Sequence, residues 1–127
     1  MSANEPGQVI EEFCRLFNGG DLEGLVDTLY EDDAVFIPSP TDPPRSGKAQ
    51  VAEDLKGLLA TQGTIKVLQT TTVRNGDLAL THTRWQLDIP SGDPMQATSA
   101  EVVRRQPDGT WKYAIDNPWS GAVVAGG

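Results

Sequence analysis

The chain has 127 residues, of which 38% are hydrophobic and 22% charged, and its formal net charge is −8. A chain of this length forms one domain and buries roughly two-thirds of the surface that it exposes when unfolded. The acidic balance disfavours binding to nucleic acids and to anionic membranes, because both carry negative charge. The single cysteine, Cys14, leaves no internal disulfide, and no cysteine–histidine cluster has zinc spacing. We therefore expect neither a metal nor another cofactor.

The start of the chain lacks the basic segment and apolar run of a signal peptide. No apolar stretch approaches the ~20 residues that are needed to span a bilayer. We therefore expect a cytoplasmic protein that does not associate with membranes. Its organisation is predicted to be a single domain over residues 1–119 and a flexible C-terminal tail over residues 120–127, where small residues dominate.

Three helices are predicted in the first half of the chain. The first ends at Asn18-Gly19-Gly20, and Asp21 is positioned to cap the second. Their apolar stripes consist of Val9, Ile10, Phe13, Leu16 and Phe17 in the first helix, of Leu22, Leu25, Val26 and Leu29 in the second, and of Val51, Leu55, Leu58 and Leu59 in the third. Gly63 is the predicted exit of the third helix. A short buried strand over residues 34–37 precedes this helix and ends in a proline-rich loop.

From Thr64 onward the pattern changes to that of β-strands. Strands are predicted over residues 64–74, 78–89, 97–106 and 111–119. Asn75-Gly76 predicts a type I′ hairpin turn between the first two of these strands. Three helices followed by an antiparallel meander indicate an α+β fold, with the helices packed on one face of the sheet.

Three segments resemble the superfamily of nuclear transport factor 2, which includes ketosteroid isomerase, limonene epoxide hydrolase and the SnoaL-like polyketide cyclases. They are Gly20-Asp21-Leu22-Glu23 running to Asp33-Ala34, the Pro43-Pro44-Arg45-Ser46-Gly47 loop, and the final hairpin from Arg104 to Trp111. The resemblance implies a cone: a curved antiparallel (mixed) sheet wrapped around three N-terminal helices, with an internal hydrophobic pocket. It also implies a homodimer through the outer sheet face.

The resemblance to ketosteroid isomerase includes three positions of its active site. In a gap-free alignment, Phe13 stands where that family keeps its oxyanion-holding tyrosine, and Pro38 where it keeps its proton-shuttling aspartate. Glu101 stands where the family keeps a protonated aspartic acid. Phenylalanine cannot donate a hydrogen bond, and the side chain of proline cannot accept a proton. The steroid isomerase reaction itself is therefore disfavoured.

The parity of the loop around Ser91-Gly92 decides which residues share the pocket with Glu101 and Asp116, because neighbouring strand residues point to opposite faces. An even-numbered loop places Leu80, His82 and Arg84 there, and an odd one places Thr81, Thr83 and Trp85. We favour the even register, which makes the candidate catalytic residues Glu101, Asp116, His82 and Arg84. The expected pocket wall consists of Phe13, Phe17, Tyr30, Phe36, Pro38, Leu55, Leu59, Ser99 and Pro118.

Two carboxyl groups inside apolar walls are suited to acid–base chemistry. Burial raises the pKa of one, which then acts as an acid, while the other remains a carboxylate and acts as a base. We expect a cofactor-independent enzyme that isomerises, cyclises or dehydrates a small apolar oxygenated molecule, or opens an epoxide. The SnoaL-like resemblance implies secondary metabolism. The alternative is a non-catalytic ligand-binding or dimerisation domain, in which Glu101 makes an ordinary cross-strand ion pair and Asp116 organises a turn.

The favoured register leaves an apolar patch on the outer face of the sheet. Its residues are Trp85, Val102, Tyr113, Ile115 and Trp119. Contiguous apolar patches of this kind mark protein contacts, so we expect a homodimer through this face. In the alternative interpretation, the C-terminal tail folds over the patch within one monomer.

Overall fold

The computed structural model describes residues 3–119, within which three helices and six strands are formed. The helices are α1 (Gln8–Asn18), α2 (Leu22–Leu29) and α3 (Lys48–Leu59). The strands are β1 (Tyr30–Phe36), β2 (Arg45–Ser46), β3 (Thr64–Asn75), β4 (Leu78–Asp88), β5 (Met95–Arg105) and β6 (Trp111–Asn117). The tail predicted over residues 120–127 lies outside the described residues.

The ends of the helices are set by specific side chains. Asp21 caps α2, since its carboxylate accepts a hydrogen bond from the backbone N–H of Gly24 at 2.9 Å. Asn18 at the end of α1 pairs with both backbone groups of Ile65, which fixes α1 against β3. The third helix ends at Leu59, earlier than the predicted exit at Gly63. Among the described residues, no helix is both long and apolar enough to cross a membrane.

The six strands form one mixed sheet in the order β2-β1-β6-β5-β4-β3. Strands β1 and β6 run parallel, and every other neighbouring pair is antiparallel. The apolar faces of the helices pack against the sheet in one core, which includes Phe17 of α1, Leu25 of α2 and Leu55 of α3. The predicted fold class, α+β with a mixed and mostly antiparallel sheet, is confirmed.

The turn between β3 and β4 differs from the predicted one. Asn75 pairs with Leu78, which leaves Gly76 and Asp77 as the two central residues. A type I′ turn requires a positive φ at both central residues, but only Gly76 has one, at 61°. The type I′ prediction, which made Asn75 and Gly76 the central residues, is therefore wrong. The central pair lies one residue later, and glycine at its first position is the pattern of a type II′ turn.

Strand β4 lies in the opposite phase to the one that we favoured from the sequence. Leu87 pairs with Met95, so seven residues, 88–94, separate them and the loop is odd-numbered. The residues that face the interior are Ala79, Thr81, Thr83, Trp85 and Leu87. His82 and Arg84 are exposed on the outer face. Their predicted placement in the pocket is wrong, because one residue of loop length reverses every side chain of a strand.

A β-bulge on β6 changes the phase within that strand. Tyr113 and Ile115 pair with consecutive residues of β5, so Ala114 between them is an extra residue. As a result, Tyr113 and Asp116 are both buried although three positions separate them, and Ile115 is exposed. Bulges are common next to active sites, where they redirect a side chain.

Three of the five residues expected on the outer face lie in the interior instead. Trp85 belongs to the interior phase of β4, and Tyr113 precedes the bulge of β6. Both are at least 96% buried, and Trp119 packs beside Trp85 with ring centroids 5.5 Å apart. The outer-face prediction is therefore wrong for Trp85, Tyr113 and Trp119.

The outer face instead carries a straight row of aliphatic side chains, which we call the aliphatic row. It consists of Val73, Leu80, Val102 and Ile115, which are successive cross-strand partners on β3, β4, β5 and β6. The exposed fractions of Val73, Leu80 and Ile115 are 68%, 40% and 43%. Val102 and Ile115 therefore lie on the face where the sequence predicted them.

Candidate active site

A cavity of about 210 Å³ lies between α1, α3 and the inner face of the sheet. Most of its wall is apolar, and Asp54, Glu101 and Asp116 are its acidic members. Among the described residues, no lysine, arginine or histidine lines it. The other wall residues are Ile10, Phe13, Phe36, Pro38, Leu55, Gly57, Leu58, Thr61, Ile65, Trp85, Ser99, Tyr113, Pro118 and Trp119. Apolar walls with a few convergent polar groups are typical of small-molecule sites.

Six of the nine predicted wall residues line this cavity, and three do not. The six are Phe13, Phe36, Pro38, Leu55, Ser99 and Pro118. Phe17 instead stacks on Phe13 within the core, with ring centroids 5.8 Å apart. Leu59 packs against the edge of the core, and Tyr30 is fully buried without lining the wall.

Two tryptophans form a part of the wall that the sequence interpretation placed elsewhere. Trp85 and Trp119 meet edge to face, and the indole N–H of Trp85 donates to the Pro118 carbonyl at 3.2 Å. A signal for Trp85 was present in the sequence, because Ala79, Trp85 and Leu87 share one phase of β4 while the opposite phase is charged near its end. The sequence interpretation did not include Asp54 in the cavity wall. Its apolar neighbour Leu55 indicates that this turn of α3 faces the core, but it gives no sign that the acid beside it also reaches the cavity.

Glu101 is 2% exposed and is held at the floor of the cavity by hydroxyl groups of β4. The hydroxyls of Thr81 and Thr83 donate to its Oε1 at 3.0 and 3.1 Å. Its Oε2 is also buried and makes no hydrogen bond with any described residue. Glu101 therefore has one oxygen fixed by donors and one oxygen with no protein partner.

Asp116 lies directly opposite Glu101 on the adjacent strand β6. Side chains in such a pair have Cβ atoms about 4.5–5.5 Å apart. The phenolic O–H of Tyr30 donates to Asp116 Oδ2 at 2.6 Å. Both acids are buried on the same face, so the register of β5 and β6 brings them together on the cavity wall.

The surroundings favour the protonated forms of both acids. Burial raises the pKa of Asp116 to about 8, and the negative charge of Glu101 contributes to the increase. Burial also raises the pKa of Glu101, while the nearby hydroxyl groups of Ser99, Thr81 and Thr83 oppose that shift. Two hydroxyl donors stabilise the charged form of Glu101, whereas Asp116 has one, so the hydrogen bonds favour ionisation of Glu101 over that of Asp116. The arrangement can thus hold one proton on Asp116 beside a carboxylate on Glu101.

The remaining residues with reactive side chains lie away from the cavity. His82 and Arg84 project from the outer face of β4. Burial raises the pKa of Cys14 to about 11, which keeps this thiol protonated at neutral pH. Within residues 3–119, no three His, Cys, Asp or Glu side chains are grouped to hold a metal ion.

Solved structures with a similar fold come from several bacteria. An NTF2-like protein of unknown function from Pseudomonas putida KT2440 is 21% identical, with a TM-score of 0.71 over 87% of this chain and 80% of that one. A ketosteroid isomerase-like protein from Shewanella frigidimarina NCIMB 400 is 16% identical. That match has a TM-score of 0.74 and covers 87% of this chain and 91% of that one. SalBIII is an epoxide hydrolase/cyclase-like enzyme with a role in pyran ring formation in the polyether salinomycin. It is 16% identical, and the match has a TM-score of 0.66 and covers 89% of this chain and 88% of that one.

At these identities the likeness concerns the fold, because one fold of this kind supports many chemistries. No curated protein matches the sequence. The family model of the SnoaL-like domain, however, matches residues 10–114, which is most of the chain. The chain therefore belongs to the SnoaL-like domain family.

Proposed function

We propose that this protein is a cofactor-independent acid–base enzyme that acts on a small, apolar, oxygenated molecule. The observation that carries the proposal is the pair Glu101 and Asp116, which lie opposite each other on the wall of an apolar cavity. Two titratable groups whose surroundings separate their pKa values are suited to act as acid and base in one reaction. The fold shared with SalBIII supports this interpretation.

Asp116 is the proposed acid and Glu101 the proposed base. Asp116 holds its proton at neutral pH because its pKa is about 8, and it donates that proton to an oxygen of the substrate. Glu101 accepts a proton at Oε2, because Oε1 is already occupied by the hydroxyls of Thr81 and Thr83. Tyr30 orients Asp116 through its hydrogen bond. It stays protonated, since burial raises its pKa well above 10.

This division of work supports isomerisation, cyclisation, dehydration or epoxide opening. Each of these reactions needs protonation of an oxygen together with removal of a proton from carbon, from a hydroxyl group or from water. Developing negative charge on the substrate oxygen is stabilised by the proton of Asp116, since no described cation lines the wall. A cytoplasmic location and a context in secondary metabolism remain part of this proposal.

A titration of the side-chain carboxyl carbons by ¹³C NMR tests the acid–base pair. The proposal predicts two carboxyl groups that titrate above the ~4 of free carboxylic acids. The higher of the two is expected near pH 8 and disappears in Asp116→Asn. Ordinary pKa values for both groups would instead favour a non-catalytic ligand-binding domain.

A generic proton-transfer probe tests the base without knowledge of the substrate. In 5-nitrobenzisoxazole, a base removes the ring C3 proton, the N–O bond breaks, and a coloured cyanophenolate forms. Glu101→Gln is expected to lose about 100-fold or more of the wild-type rate, which is the usual contribution of a positioned base. Glu31→Gln is the matched control, because Glu31 forms a surface ion pair with Arg104. Equal losses in both variants would refute the role of Glu101.

We further propose a homodimer through the aliphatic row. The row crosses four strands, and a two-fold axis parallel to the sheet, lying in the contact plane, would place it against its own copy. Self-complementary contacts of this kind generate closed dimers. Burial of exposed valine, leucine and isoleucine side chains stabilises such a contact by ~25 cal/mol per Å² of apolar surface, before the costs of association.

A further inference from the structure

Asp54 contributes a third acid to the cavity wall that the proposed chemistry does not use. It lies on α3, on the helix side of the cavity, whereas Glu101 and Asp116 lie on the sheet. Its Oδ1 accepts a hydrogen bond from Arg45 Nη1 at 2.9 Å. Its Oδ2 is buried and has no hydrogen-bond partner among the described residues. A buried acceptor without a donor is unfavourable until a ligand supplies one.

The opposite kind of group is also unpaired on the same wall. The indole N–H of Trp119 is buried and has no acceptor within the described part of the chain. Besides Oε2 of Glu101, the cavity wall therefore carries a second unpaired acceptor, at Asp54, and one unpaired donor, at Trp119. A hydroxyl group can serve both kinds of partner, since it donates one hydrogen bond and accepts others.

Charge restricts the ligand further. Because no described lysine, arginine or histidine lines the cavity, a carboxylate or phosphate would enter apolar surroundings beside three acids without a counter-ion. An ammonium group gains little at Asp54, because Arg45 already forms an ion pair with that carboxylate. An uncharged ligand avoids both costs. The volume of about 210 Å³ suits a compact ring, since a cavity of ~150 Å³ holds benzene.

We propose that Asp54 is a specificity-determining residue that selects uncharged, hydroxyl-bearing ring compounds and rejects anions. This inference rests on the proposed use of the cavity as a substrate site. It assigns the substrate hydroxyl to Asp54 Oδ2 and leaves the reacting part of the molecule to Glu101 and Asp116.

Binding of four probes with one shared skeleton tests this assignment. They are benzyl alcohol, benzylammonium, toluene and benzoate, each titrated into the ¹⁵N-labelled full chain and followed by NMR. Benzyl alcohol is expected to bind at least about tenfold more tightly than toluene, because it satisfies the unpaired acceptor. Benzylammonium is expected to bind no more tightly than the alcohol, and benzoate not to bind.

Substitutions at and beside Asp54 separate its effect from that of overall charge. Asp54→Leu is expected to reduce alcohol binding to the level of toluene, whereas Glu53→Leu, an exposed neighbour on α3, keeps the preference. Asp54→Asn retains the shape of the side chain and supplies amide donors, so it is expected to gain benzoate binding. Arg45→Gln leaves Asp54 without its counter-ion, which should shift the preference toward benzylammonium.

Several outcomes would overturn the assignment. They are wild-type binding of benzoate or benzylammonium in preference to the alcohol, an alcohol preference that survives in Asp54→Leu, and failure of all four probes to bind at their solubility limits. The carboxyl titration of Glu101 and Asp116 reports on the acid–base proposal separately. Ordinary pKa values for Glu101 and Asp116, together with the expected preference for benzyl alcohol, would refute only the acid–base proposal. Raised pKa values without that preference would refute only the assignment of Asp54.

Discussion

Tyr30 donates a hydrogen bond of 2.6 Å to Asp116, and this bond joins the first residue of β1 to an acid near the end of β6. The two strands are parallel neighbours, so the bond lies within the only parallel pair among the described strands. The ring of Tyr30 also packs on Tyr113, with centroids 4.9 Å apart. The acid is thus held by a rigid aromatic group, and its orientation does not depend on the ligand.

Removal of the Tyr30 hydroxyl group should destabilise the charged form of Asp116. In Tyr30→Phe the aromatic packing is retained but the donor is lost, so the pKa of Asp116 is expected to rise from about 8 by roughly one unit. Carboxyl ¹³C NMR measures the change, and near-ultraviolet circular dichroism checks the packing. An unchanged or lower pKa in a folded variant would contradict the hydrogen bond.

The pH dependence of stability should differ between wild type and Asp116→Asn. Folding raises the pKa of Asp116 from ~3.9 to about 8, so between these values the folded state binds one more proton than the unfolded state. The free energy of unfolding then falls as pH rises, by up to ~1.4 kcal/mol per pH unit. The contribution is complete below pH ~4 and is lost as pH rises through about 8. Urea denaturation should therefore show Asp116→Asn gaining on wild type between pH 5 and pH 8.

Asp108→Asn provides the control for this experiment. Hydrogen bonds from Thr110 lower the pKa of the exposed Asp108, so this acid is ionised in both the folded and unfolded states at pH 5 and above. Its effect on stability should be the same at pH 5 and pH 8. A pH trend shared by both variants would indicate a general charge effect, and Asp116 would then lose its assigned contribution.

The threonine hydroxyls should set the pH at which Glu101 becomes a base. Thr81→Val keeps the shape of the side chain but removes a donor to Oε1, so the pKa of Glu101 is expected to rise. The acidic limb of the pH–rate profile with 5-nitrobenzisoxazole should move to higher pH by the same amount. Thr71→Val, an exposed change on the outer face of β3, should leave the profile in place. A profile that moves in both variants, or in neither, would refute this contribution.

Charge introduced into the aliphatic row should prevent the proposed dimer. Leu80→Lys places a charge at the centre of the contact, and its burial would be unfavourable. Analytical ultracentrifugation should show wild type as a dimer and this variant as a monomer. Ala60→Lys, exposed just after α3, should remain dimeric. Monomeric wild-type protein at micromolar concentration would rule out the proposal.

Local patterns in the sequence were sufficient for the helices and the fold class. The glycine pair after Asn18 and the capping Asp21 act within a few residues, so their effect can be recognised without tertiary information. The change to a two-residue period at Thr64 marks the sheet for the same reason. Glu101 and Asp116 could be placed on one face because a gap-free alignment covered both strands.

Register was harder to predict than the elements themselves. The loop after β4 contains two prolines and a glycine, which indicate a turn but do not reveal whether its length is odd or even. The error moved His82 and Arg84 to the wrong face. The bulge at Ala114 is likewise invisible in composition, because an alanine in a strand carries no sign that it lacks a partner. Both errors concern a single residue of chain length. One residue more or fewer reverses the face to which every following side chain of a strand points.

Ala114 also separates the burial of Asp116 from strict alternation along β6. A deletion of this one alanine would make Tyr113, Ile115 and Asp116 consecutive residues of a regular strand, and Asp116 would still face the interior opposite Glu101. The extra residue is what allows Tyr113 and Asp116, three positions apart in the chain, to share the inner face of the sheet. In any relative of this chain, a one-residue gap between Tyr113 and Asp116 would therefore be compatible with retention of both acids.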